Sequence, residues 1–153
     1  MELKYFTVLT VSFLLVCSTS FGQDFSIMDS SFSVNDKLIT RNIIFHFASD
    51  SLFEESRNYL DTFAMFLIVH DSLNIEIGFH CDERIPENMS YHITYRRARR
   101  INDYLISNGV NSSRLIFKGF EDSRPVIKGA KTEDEHQLNR RAEFIITSIN
   151  SNN

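Results

Sequence analysis

Two charged side chains stand at places where the local pattern asks for apolar ones or for nothing in particular. "LNIEIGFHCDERIPEN" alternates apolar and polar residues as a strand does and then releases Asp82 into a loop. "ITYRRARRINDYLI" puts Arg97 on a helical stripe whose other members are Ile93, Ile101 and Leu105. A guanidinium does not lose its proton in a protein, and desolvating one without a partner is costly. Three arrangements would relieve that cost. Arg97 could pair with an internal carboxylate, for which Asp82 is the first candidate because it leaves its strand where the helix begins. It could receive an anionic ligand. Or its stem could pack on the core while the head snorkels to the rim. Spacing alone leaves all three open. On the opposite helical face Arg96, Arg99, Arg100 and Asp103 make an ordinary solvated surface.

Catalysis is the competing chemistry. His80, Cys81 and Asp82 are adjacent, and His46, His70, His92 and His136 lie elsewhere. Neighbours on a strand point to opposite faces, so His80 and Cys81 cannot converge on one metal ion. No HExxH or paired CxxC spacing occurs, and Cys81 would need a base beside it to act as a nucleophile. No cofactor, metal or catalytic constellation is expected. A metal- or cysteine-dependent hydrolase remains as a lesser alternative.

These residues need elements to position them. "RNIIFHF" (41–47) reads as a strand. Ser51 and Glu54 have capping-box spacing ahead of a helix whose apolar face is Phe53, Leu60, Phe63, Ala64 and Leu67. Leu73, Ile75, Ile77 and Phe79 make one apolar face of a second strand. A second helix is expected from about Ser90 to Ser107, stopped by Asn108-Gly109. "RLIFKGF" is a third strand. Thr132 and Glu135 form another capping box for a short helix, and "RRAEFIITSI", apolar on both faces at its middle, is a final strand interior to the sheet. The order is βαβαβ(α)β, which implies an α+β two-layer sandwich with two main helices on one mixed four-stranded sheet.

The chain has 153 residues, suited to one domain. Its 20 acidic and 16 basic residues leave a net charge of -4, which argues against a nucleic-acid partner. Lys4, the apolar run "YFTVLTVSFLLVC" and the small residues of "STSFG" follow one another as in a signal peptide over residues 1–22. A lipid on Cys17 is the alternative to a freely exported chain, though Val16 is larger than the residue that usually precedes a lipidated cysteine. Cleavage at 22 would leave Cys81 alone, with no internal disulfide to form. Residues 23–40 read as a linker or N-terminal arm, 41–149 as the domain, and 150–153 as a tail.

From Asn42 to Ile146 the chain resembles the OmpA-like domain of outer-membrane, lipoprotein and flagellar-stator proteins. The segments that carry this are "IIFHFASDSL", "IEIGFHCD", "ITYRRARRINDYLISNGV", "SRLIFKGFEDSRP" and "NRRAEFII". Family positions are matched by His80, Cys81 and Asp82, by Ile93, Thr94, Arg97 and Ala98, by Gly119 and Pro125, and by Asn139, Arg140 and Arg141. The resemblance implies a non-covalent peptidoglycan-binding module in the periplasm or at the periplasmic face of the outer membrane. It further implies that Asp82 takes the ammonium and Arg97 the carboxylate of diaminopimelate in the stem peptide. Cys81, Ile85, Ser90, Asn139 and Arg141 are implied to border or brace that pocket. An outer-membrane protein partner is a further expectation. Five places depart from the family pattern. Ile85 stands for a small residue, Ser90 for Asn, Cys81 for Thr, and His46 and Ala48 for aspartates. The alternative function is a degenerate module of this fold used for protein–protein contact in the envelope.

Overall fold

The computed structural model describes residue 24 and residues 26–150. The expected signal peptide and Cys17 lie outside the described residues. Strand β1 (Lys37–Thr40) is followed by helix α1 (Glu54–Val69), strand β2 (Leu73–His80), helix α2 (Glu87–Ser107), a 3-10 turn at Ser112–Arg114, strand β3 (Leu115–Glu121), helix α3 (Glu133–Asn139) and strand β4 (Arg141–Ile149). The sheet order is β1-β4-β2-β3. β4 runs antiparallel to both β1 and β2, while β2 and β3 run parallel. The sheet is therefore mixed, β4 is interior, and the α+β sandwich expected from the pattern is present.

Alternation along β2 sends Leu73, Ile75, Ile77 and Phe79 into the core. α1 covers them with Leu60, Phe63, Ala64 and Leu67, and Phe63 meets Phe144 of β4 with ring centroids 4.2 Å apart. α2 adds Ala98, Ile101 and Leu105 and lies along β2 and β3. Each large side chain buried this way contributes about 1.5–3 kcal/mol against conformational entropy. The helix–sheet distance is set at Gly119. A Cβ there would come within 2.6 Å of the Thr94 Oγ1 and of the Tyr95 backbone nitrogen.

Two expectations need correction. The first strand is Lys37–Thr40, inside the stretch read as an arm, and 41–47 is not a strand. "RNIIFHF" instead folds back on its own chain. Phe45 and Leu52 form an isolated bridge, and the Ser56 hydroxyl accepts from the Ile44 N–H and donates to its carbonyl. Its backbone is thereby satisfied locally, and the place beside β4 goes to "KLIT". The Ser51–Glu54 capping box does not form either. α1 begins at Glu54, with Phe53 in the cap position and no side-chain cap. Ser51 is already used in the preceding turn, its N–H donating to the Ser49 hydroxyl and its carbonyl accepting from His46. Phe53, read as part of the core face, stacks on His46 instead. At α3 the Thr132–Glu135 capping box is complete. α2 starts three residues earlier than read, directly after Pro86.

Candidate functional site

At one end of the central strands a cavity of about 810 Å3 opens between the 41–48 segment, the β2–α2 loop, the first turns of α2, and α3. Asp82 and Arg97 both line it. They are not paired with each other, which disposes of the first arrangement considered for Arg97.

Asp82 lies two residues beyond β2 and is only 2% exposed. Its Oδ1 accepts from the Arg84 backbone N–H at 3.0 Å and from Arg84 Nε at 3.1 Å. Its Oδ2 accepts from Arg84 Nη2 at 3.0 Å and from Arg140 Nη1. Burial alone would raise the carboxyl, but these donors outweigh it and hold Asp82 at about 2. Glu133 of α3 joins the group, accepting from both Arg84 and Arg140, and the two arginines pull it down to about 2 as well.

Arg97 is held differently. Nε donates to the Ser49 carbonyl at 3.1 Å and Nη2 to the His46 carbonyl at 3.4 Å. The guanidinium lies over the rings of Phe45 and Phe79, 5.0 and 5.5 Å from their centroids. Among the described residues no carboxylate reaches ion-pair distance of it. Desolvation lowers its pKa, yet a guanidinium stays charged in this range. Ala48, in the turn that presents the two carbonyls, adopts a left-handed φ of 50°, a conformation that costs a non-glycine residue roughly 1 kcal/mol or more.

The other expected residues divide. Ile85 lines the cavity, whereas Cys81, Ser90, Asn139 and Arg141 do not. Ser90 is buried and donates to the Glu87 carbonyl. The Asn139 side-chain amide exchanges two hydrogen bonds with the backbone of Ile127, bracing the loop before α3. Arg141 is buried against Glu143. Cys81 is buried, and its thiol is pushed up to about 12 by desolvation, with Asp122, Asp82 and Glu121 adding to the effect. Arg96 lines the cavity but is paired with Asp50 at 2.9 Å, and Arg99 pairs with Asp103 at 3.5 Å.

Sequence reasoning missed Arg84, Glu133 and the role of Arg140. It also missed the apolar wall of Ile44, Phe45, Phe47 and Phe53, in which Phe47 is 99% exposed. Arg140 could have been found. Strand alternation pairs residue 141 with 143 on one face, and that leaves residue 140 at the helix end, facing the loop.

Chemically the cavity offers two guanidiniums without a carboxylate partner among the described residues, Arg97 and Arg41, one buried carboxylate under arginine cover, and an apolar floor. Its lining is suited to charged groups. Comparison with known proteins gives a consistent result. Residues 44–140 match the model of the OmpA family. Outer membrane porin F of Pseudomonas fluorescens is 35% identical over 80 residues, 52% of this chain and 24% of that protein. The peptidoglycan-associated lipoprotein of Buchnera aphidicola is 29% identical over 103 residues, 67% of this chain and 59% of the lipoprotein. The chain thus spans less than two thirds of either relative's length. The periplasmic domain of Helicobacter pylori MotB superposes with a TM-score of 0.67 at 20% identity, covering 78% of this chain and 86% of that one. The fold, the order of the motifs and the matched span lead to one assignment: this chain belongs to the OmpA family.

Proposed function

We propose that the domain binds peptidoglycan non-covalently through the diaminopimelate of its stem peptide, and so anchors itself or a partner to the cell wall. Arg97 takes the ligand carboxylate as a two-pronged, charge-assisted pair, and Asp82 receives the ammonium. The observation that carries this reading is the state of Arg97. It is a fixed cation without a carboxylate, held by two carbonyls over two aromatic rings, on the wall of the same cavity as Asp82. The Buchnera relative, named for its association with peptidoglycan, supports the same ligand class. The module acts by binding rather than catalysis, in the periplasm or at the periplasmic face of the outer membrane. Residues 1–22 serve as its export signal and an outer-membrane protein supplies the tether; in the alternative, the signal ends before Cys17 and a lipid on that residue is the anchor.

The test is sedimentation with insoluble sacculi. The wild-type chain is expected to pellet with them, while Asp82→Ala and Arg97→Ala remain in the supernatant with unchanged circular dichroism. Pelleting that survives both substitutions removes these residues from the site. A wild type that never pellets points to the protein-contact alternative.

A further inference from the structure

An ionised carboxylate has room for about four hydrogen-bond donors. Asp82 already has four, from the Arg84 backbone N–H, Arg84 Nε, Arg84 Nη2 and Arg140 Nη1. Although Asp82 lines the cavity, its acceptor positions are thus taken, and with 2% of the residue exposed there is little room for a fifth donor. We propose that Arg84 is the resident occupant of the ammonium position, a built-in competitor whose side chain must swing away before Asp82 can read a ligand. This rests on the binding reading above and adds a specificity-determining residue to it.

The departing group is Arg84 rather than Arg140. Both side chains also touch Glu133, but that of Arg84 is 47% exposed and sits in the turn between β2 and α2, while that of Arg140 is 26% exposed and is further tied to Gln137. When the Arg84 side chain leaves, its backbone N–H stays on Oδ1. Asp82 then keeps two donors and regains two acceptor positions, enough for an ammonium with three N–H groups. Glu133, 2.8 Å from Arg84 Nη1 and itself exposed, gives the displaced guanidinium a place to rest. The charge around the cavity explains why this occupant matters. Arg41, Arg84, Arg96, Arg97 and Arg140 line it against Asp82 and Glu133. With Arg84 seated, the site attracts carboxylates of many kinds. With Arg84 displaced, it distinguishes a zwitterion from a plain diacid.

Two variants of the full chain, Arg84→Ala and Arg84→Gln, test this by calorimetric titration. The probes are meso-diaminopimelate and pimelate, the same seven-carbon diacid without its ammonium groups. Gln keeps a long polar stem should Ala unsettle the turn. Both variants are expected to bind meso-diaminopimelate about three- to tenfold more tightly than wild type, the worth of a half-exposed ion pair that no longer has to be broken. Pimelate affinity should stay the same or fall. Binding by the variants where wild type shows none also supports the proposal. Wild-type binding with no gain in either variant, or an equal gain for pimelate, overturns the competitor and leaves the binding reading standing. If neither wild type nor variants bind meso-diaminopimelate, both readings fall.

Discussion

Three guanidiniums near the same strand ends have three different fates, decided by what each one touches. Arg141 is neutralised by Glu143 and buried. Arg140 is shared among Asp82, Glu133 and Gln137. Arg97 meets only neutral carbonyls and ring faces, so no carboxylate among the described residues neutralises its charge. Cys81 shows the same dependence on surroundings. Next to Asp82 it looks like a nucleophile, but burial raises its thiol to about 12 and leaves almost no thiolate at neutral pH. Iodoacetamide at pH 8 is therefore expected to leave Cys81 unmodified in the native chain and to alkylate it in guanidinium chloride, as read by peptide mass mapping. Fast labelling of the native chain would contradict the burial. That Arg97 and Asp82 both line the cavity was legible in the sequence, Arg97 because it interrupts an apolar stripe and Asp82 because it matches a family position after the second strand. Arg84 and Glu133 were not, since a charged residue in a polar segment breaks no pattern, and Phe47 was not, since the strand expected at 41–47 would have accounted for it.

At the scale of elements, the parts that could be read were those whose period was strong. β2, α2 and β4 carry long apolar repeats, and they stand within a few residues of the expected places. β1 has four residues and no clean alternation, while 41–47 has the better strand composition. The competition was settled by hydrogen bonds of Ile44 with Ser56 and Phe53 and of His46 with Ser51, which no local pattern displays. The position of α2 matters most for function, because it carries Arg97. Gly119 lets α2 lie directly on β3, at a distance no Cβ could tolerate. Gly119→Ala is expected to cost about 1–3 kcal/mol, in the range of an overpacked core. It should also lift the N-terminal half of α2 and weaken ligand binding along with stability. Chemical denaturation together with sacculus sedimentation measures both effects. An alanine variant as stable as wild type would mean that α2 has slack over β3.

Over the whole molecule, the charged groups that matter are gathered at one end of the central strands, where His80 pairs in register with Arg141 and the cavity begins. Asp82, Glu133 and Glu143 all ionise more readily in the folded chain, each held at about 2. Burial opposes this for Asp82 and Glu143 and is overcome by hydrogen bonds from Arg84 and Arg140 to Asp82 and from Arg141 to Glu143, with the His80 ring 3.5 Å from Glu143 adding to the effect. His80 is depressed chiefly by desolvation, so it too binds protons less well when folded. All four shifts have one sign. Each contributes stability above the group's unfolded value, and that stability is lost as pH falls toward the folded one. The melting temperature should therefore begin to drop below pH 6.5 as His80 is drawn to its charged form, and fall more steeply between about 4.5 and 2. Asp82→Asn isolates one contributor. At pH 7 it should be less stable than wild type by on the order of 2 kcal/mol, the worth of a shift from 3.8 to about 2. That difference should close by pH 2, where Asp82 is protonating in the wild type as well. Thermal melts of both proteins across this range measure it. A gap that persists unchanged at pH 2 would mean that Asp82 stabilises the fold through its shape and packing, and that the arginines around it do not hold it as an ion.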